Sequence, residues 1–298
     1  MGVRTIACSR ADGERRGFVR EWLIDNEGDG TERVSKDFVS LTEVSGDDVS
    51  SEQIERLARR YYWAGEYCRG RDVLEVACGS GQGVGYLASL SRSVTAGDYS
   101  AALLAIARRH YASRIRFHQF DAQELPFPER SFDVVIIFEA LYYIPHPERF
   151  FAEAKRVLRP GGVLLIATAN KDLFDFNPSP RSVTYFGVVE FERELARHGF
   201  SCRCWGDTPL ERVSLVQRIL RPVKAFAVRF HLIPSSMAGK KLLKRLVFGR
   251  LQKMPAEITD ATAPRVPPTP LPAGVPDRSH KVLFCAATLD AAPSTAAS

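Results

Sequence analysis

The stretch Val73-Leu74-Glu75-Val76-Ala77-Cys78-Gly79-Ser80-Gly81-Gln82-Gly83 constrains the fold more than any other part of the chain. A short apolar run carrying one carboxylate turns through three alternate glycines into a helical pattern. Glycine suits such a strand-to-helix turn, because the bend needs unusual backbone angles and lets a ligand approach without a Cβ in the way. A dinucleotide turn would require G-x-G-x-x-G. From Gly79 and Gly81 the third glycine falls at Val84, and from Gly81 and Gly83 at Tyr86, so neither register closes. No P-loop lysine follows. Glu75 would repel a phosphate at this turn and suits a ligand bearing an ammonium group. A tight βα turn with no ligand remains the plain alternative for this segment taken alone.

Apolar periodicity around the turn alternates between two and 3.6 residues. A capping box at Ser50 and Gln53 opens a helix through Ile54, Leu57, Tyr61 and Tyr62, predicted to end near Gly65. Strands are predicted at Val73–Val76, Val94–Ala96, Ile115–Gln119, Phe132–Phe138, Val163–Ala167, Ser201–Trp205 and Lys281–Thr288. Helices fall at Gly83–Leu90, from the Ser100 cap to His110, from Pro147 to Leu158 and at Glu190–His198. Arg159-Pro160-Gly161-Gly162 should stop the third of these. Phe132–Phe138 is apolar almost throughout, as a strand buried on both faces must be. The alternation predicts an α/β fold: a seven-stranded, mostly parallel, Rossmann-like sheet with helices on both faces. Ligands of such sheets bind beyond the carboxyl ends of the strands.

Three regions stand outside this pattern. Residues 1–45 form a polar N-terminal extension, with a strand or helix around Phe18–Ile24. Residues 46–208 are the core. Residues 209–279 are an insertion, basic and helical at first, then proline-rich with six prolines between 264 and 276 that should leave it an extended loop. Residues 280–290 return to the core as its last strand, and 291–298 form a disordered tail. The net charge of +6 is concentrated: Arg212 to Ala256 holds eleven Lys/Arg and no acid, leaving 30 Lys/Arg against 35 Asp/Glu elsewhere. The six cysteines make no C-x-x-C spacing, so no metal is expected and buried thiols fit a cytoplasmic protein. Cys202 and Cys204 would share one face of a strand. No apolar run reaches signal-peptide or membrane-spanning length, and Ile6 stands where a myristoylation signal needs Ser or Thr.

Four stations in order resemble the class I S-adenosylmethionine-dependent methyltransferases, in particular bacterial enzymes acting on glycans or secondary metabolites. They are Glu75 to Gly83; Asp98, 23 residues after Glu75; Phe120-Asp121-Ala122-Gln123; and Ser131-Phe132-Asp133 leading to Arg156-Val157-Leu158-Arg159-Pro160-Gly161-Gly162. The resemblance runs from about Leu57 to Cys204 and includes the returning strand. It implies S-adenosyl-L-methionine as cofactor, with contacts from Tyr62, Glu75, Ala77, Gly79, Gly81, Asp98, Tyr99, Asp121, Ala122 and Phe138. Glu75 and the turn would wrap the methionine part, Asp98 the ribose hydroxyls and Asp121 the adenine amino group. The aromatic run Tyr61-Tyr62-Trp63 reads either as packing or as a lid over the cofactor.

The implied reaction is methyl transfer to a small-molecule or sugar acceptor, with oxygen as the expected accepting atom. N- or C-methylation, or a cofactor-binding subunit that performs no transfer, are the alternatives. The sequence departs from the family where many relatives carry histidine after the fourth strand. Here Tyr143 stands near that position, and Glu139 and His146 flank it as the other catalytic candidates. The basic segment 212–256 has three readings: a solvated helical cover, a surface for an anionic acceptor, or a dock on an anionic membrane. Nucleic acid is not expected as a partner, since the rest of the domain is acidic.

Overall fold

The computed structural model describes residues 42–210 and 251–289. The expectations for Phe18–Ile24, for the basic helices between 211 and 250 and for the tail lie outside those residues. The core is an eight-stranded sheet in the order β4-β3-β2-β5-β6-β10-β7-β9, built from β2 (Asp72–Val76), β3 (Ser93–Asp98), β4 (Phe117–Gln119), β5 (Phe132–Phe138), β6 (Leu158–Ala169), β7 (Phe200–Pro209), β9 (Thr269–Pro270) and β10 (His280–Leu289). Strands β2 to β6 run parallel. Strand β10 inserts antiparallel between β6 and β7. A separate ribbon pairs β1 (Asp48–Val49) with β8 (Gln252–Lys253).

The seven expected strands are present, and the eighth comes from the proline-rich loop. Thr269 and Pro270 pair with Gly206 and Trp205 at the sheet edge. An edge position is where proline can join a sheet, since its missing N–H costs no ladder bond there.

The helices are α1 (Ser51–Cys68), α2 (Val84–Leu90), α3 (Ala101–Tyr111), α4 (Pro147–Val157) and α5 (Val188–Arg197). Ser50 and Gln53 form the reciprocal cap that starts α1, and the Ser100 side chain caps α3. Helix α1 does not end at Gly65. It continues to Cys68, and Gly65 serves close packing instead: a Cβ there would stand 2.8 Å from Leu90 Cδ1 on α2. Arg159-Pro160-Gly161-Gly162 does follow the end of α4, but it lies within β6, whose pairing with β5 is irregular at that point.

Parity divides the core. Leu74, Val76, Val135, Ile137, Leu164 and Ile166 face α4 and α5. Val73, Val134, Ile136, Phe138 and Leu165 face α1. Val134 to Ile137 have no exposed surface at all, as two-sided burial requires. At the amino ends of the strands, Asp133 Oδ1 pairs with Arg159 Nη1 at 2.8 Å, and Asp72 with Arg159 at 3.0 Å. The fourth sequence station is thus a clamp across the sheet bottom, which leaves the carboxyl edge for chemistry.

Candidate active site

At the carboxyl edge, the chain leaves β2 through Ala77 (φ 56°), Gly79 (φ 59°) and Gly81 (φ 83°). The left-handed backbone at Gly81 needs glycine twice over, because a Cβ would also press within 3.1 Å of the Tyr111 ring. The Tyr111 hydroxyl fastens this turn, donating to the Gly81 carbonyl at 2.7 Å and accepting from the Gly85 N–H at 3.0 Å. Gly83 caps α2 and lies directly against the ring of Tyr61.

Glu75 is 1% exposed, and its Oε1 accepts from the Tyr61 hydroxyl at 2.5 Å. Its Oε2 is buried and has no partner, and neither has the buried Ser80 hydroxyl in the same turn. Burial pushes the Glu75 carboxyl up to about 7, against the pull of Tyr61 and the Arg60 guanidinium. A carboxylate oxygen left without a donor in a dry site costs on the order of several kcal/mol if ionised. Such a site is built for a donor that arrives with a ligand.

Asp98 ends β3 with both oxygens engaged: Oδ2 accepts from the Gly79 N–H at 2.9 Å and Oδ1 from the Ser100 N–H at 2.8 Å. Burial raises its pKa, and these donors oppose that. Each oxygen keeps a lone pair for a further donor. Phe120 N–H bonds the Asp98 carbonyl, placing Asp121 beside it. The Asp121 carboxylate accepts from the Gln123 N–H at 2.8 Å, Ala122 is partly buried, and Tyr99 is exposed at its ring with its carbonyl held by Gln119.

Phe138 closes β5 in edge-on contact with Tyr61, centroids 5.3 Å apart. Glu139 follows at φ 52°, an unfavourable angle for a residue with a Cβ. Its Oε2 accepts from the Tyr142 hydroxyl at 3.1 Å and its Oε1 stands 3.9 Å from Arg60. Tyr142 stacks on Tyr185, which meets Phe176 edge-on. The loop between β6 and α5 therefore lays an aromatic wall beside Glu139.

The structure gathers Glu75, Ala77, Gly79, Gly81, Asp98, Asp121, Ala122, Phe138 and Glu139 along one edge of the sheet. It does not bring Tyr62 there: that ring packs on Tyr86, and its hydroxyl is committed to the Thr259 carbonyl and the Ala263 N–H. The His146 side chain is 60% exposed and paired with Glu148. Tyr143 is half-buried, its hydroxyl on Ser179. The sequence alone pointed to neither Arg60 nor the Ser80 hydroxyl, and it offered Tyr61 as packing or a lid, not as the partner of Glu75. Tyr61 sits on the apolar stripe of α1, where periodicity reads only packing; a phenol on a stripe that Leu or Phe could fill was the available signal.

Residues 74–166 match the family model described as a methyltransferase domain. A Mycolicibacterium smegmatis protein named probable S-adenosylmethionine-dependent methyltransferase is 40% identical over 49% of this chain and 55% of its own length. A Mycobacterium ulcerans phthiotriol/phenolphthiotriol dimycocerosates methyltransferase is 41% identical over 43% of each chain. A fatty-acid O-methyltransferase of M. smegmatis is 36% identical over 49% of this chain and 46% of its own. The chain thus spans about half the length of these relatives. Among solved structures, the YcgJ protein of Bacillus subtilis shares the fold, with a TM-score of 0.52 at 16% identity over 78% of this chain and 99% of that one. Over residues 74–166, from the glycine turn into β6, the chain thus carries a methyltransferase domain similar to that of these S-adenosylmethionine-dependent relatives.

Proposed function

We propose that this chain binds S-adenosylmethionine and transfers its methyl group to an oxygen of a lipid-like small molecule. One observation carries the cofactor reading: the unpartnered Glu75 Oε2 and Ser80 hydroxyl, both buried in the glycine turn. The donor set fits. Glu75 would take the ammonium of the methionine part, Asp98 the ribose hydroxyls and Asp121 the adenine amino group. Ala77, Gly79 and Gly81 would lie against the ligand by backbone. When bound, the cofactor supplies an electrophilic sulfonium methyl.

The residues around Glu139 serve the acceptor. Glu139 is the assigned base, its carboxylate fixed between Tyr142 and Arg60 so that one oxygen lone pair stays oriented toward an incoming hydroxyl. Burial raises the pKa of Tyr142, so this phenol stays a proton donor and keeps Glu139 in place. Proximity supplies the rest, with the aromatic wall excluding water from the transfer. Tyr143 lines the same wall, whereas His146 has no part in the transfer: it stands at the N-cap of α4 without a side-chain cap, and its exposed ring pairs with Glu148.

Two features support an apolar acceptor over a sugar. The wall of Tyr142, Tyr185 and Phe176 offers stacking area, and two relatives are named for lipid substrates. No described helix is long and apolar enough to cross a membrane. A lipid acceptor would then be met at a bilayer surface or in a carrier, and the basic segment 212–256 is the proposed contact with anionic lipid. The test is transfer of a labelled methyl group from S-adenosylmethionine to long-chain fatty acids, lipid diols and free sugars in parallel. Labelling of the lipids alone is expected. Labelling of sugars alone would overturn the acceptor class, and absence of S-adenosylmethionine binding would overturn the whole reading.

A further inference from the structure

Three thiols converge far from the glycine turn. In the β7–β10 ladder Cys204 is directly opposite Cys285. Cys202, two residues back along β7, points to the same face. The three Sγ atoms all lie within 4.8 Å of one another. Strands β5 and β6 separate this ladder from β2, which places the cluster about 14 Å across the sheet from the turn. The methyl-transfer reading makes no use of it.

The surroundings define what the cluster can hold. Cys285 and Cys204 are buried on the face that packs against α5, with Phe191 and Leu195 in the same apolar cluster. Cys202 is half-buried and opens the triad to solvent at one corner. Among the described residues no imidazole or carboxylate joins the three sulfurs.

We propose that Cys202, Cys204 and Cys285 form a binding site for a soft monovalent metal ion, Cu(I), in three-coordinate thiolate geometry. Sulfur is the donor that selects soft ions. At metal–sulfur bonds of about 2.3 Å, a planar triad of sulfurs stands about 4 Å apart, within reach of the observed spacing by small rotamer shifts. Zinc takes four ligands in a closed structural site, and the apolar floor beneath α5 supplies no fourth. Each thiol that ionises on binding gives its proton to solvent, and no electron is transferred.

The experiment is an anaerobic titration of the reduced full chain with Cu(I) buffered by bicinchoninate. The chain is expected to withdraw one equivalent, to develop a thiolate-to-copper charge-transfer band in the near ultraviolet, and to show three sulfur neighbours by X-ray absorption. Cys202→Ser, checked for its fold by circular dichroism, should lose that equivalent, whereas Cys68→Ser should keep it. In the wild-type protein, Cu(I) should slow alkylation of Cys202 at least tenfold, read by mass spectrometry, so the site is tested even if a variant misfolds. Failure of the folded wild type to withdraw copper, full retention by Cys202→Ser, unchanged alkylation of Cys202, or preferential retention of Zn(II) would each overturn the proposal.

Discussion

The Tyr61 hydroxyl donates to Oε1 of Glu75 at 2.5 Å, tying helix α1 to the tip of the first core strand. Both groups are buried, and the bond leaves the other Glu75 oxygen as the one without a donor. Tyr61→Phe removes a hydrogen bond to a group that is charged above about pH 7. Stability should fall by about 1–3 kcal/mol, more at pH 8 than at pH 5.5, because the ionised carboxylate is the stronger acceptor. Urea denaturation at the two pH values measures this, and equal losses would contradict it.

Glu75→Gln should separate stability from binding. The carboxyl rises from an ordinary 4.5 to about 7, so the protonated form is favoured by folding. Its stabilising contribution is complete below pH 4.5 and is lost as pH rises through 7, amounting to about 3 kcal/mol as an upper scale. The neutral amide escapes that loss. Without cofactor, the variant should be more stable than wild type at pH 8 and similar at pH 4.5. A less stable variant at pH 8 would show that Glu75 is not strained by burial.

Gly83→Ala places a Cβ 2.0 Å from two atoms of the Tyr61 ring. The ring is in the core and has no room to withdraw, so the substitution should cost about 1–3 kcal/mol and weaken cofactor binding by displacing Tyr61 from Glu75. In a Tyr61→Ala background the same change should cost much less, a coupling that a double-mutant cycle reads directly. Additive losses would mean that the two residues do not interact.

With a hydroxyl acceptor such as a lipid diol, Glu139→Gln should lower the turnover rate about a hundredfold or more while leaving the cofactor dissociation constant within about twofold. Glu139→Gly should be equally slow yet not less stable, since glycine relieves the φ of 52°. Turnover in the Gln variant within threefold of wild type would remove Glu139 as the base.

Much of the sheet was legible in the sequence because parallel strands buried on both faces write themselves as unbroken apolar runs, as at Phe132–Phe138. Glu75 stood out as the one carboxylate within an apolar run and Asp98 as the carboxylate closing the next one, while the roles expected of them came from the family resemblance. Other features depend on contacts between distant segments. Gly65 looks like a helix stop until Leu90 is seen against it. Tyr62 looks like a lid until Thr259 and Ala263 are found on its hydroxyl. Cys285 joins Cys202 and Cys204 only through the antiparallel register of β10, which no local spacing encodes. Thr269–Pro270 reads as loop because proline weakens every strand signal, although an edge position accepts it.

The most direct test is calorimetric titration of the full chain with S-adenosylmethionine at pH 5.5 and 7.0, repeated with Glu75→Gln. One ligand per chain is expected, bound about tenfold more tightly at pH 7.0, with a proton released as Glu75 ionises to meet the ammonium group. The Gln variant should bind far more weakly and without the pH dependence. Equal affinity at both pH values, unchanged in the variant, would contradict the assignment of Glu75 as the cofactor's anchor.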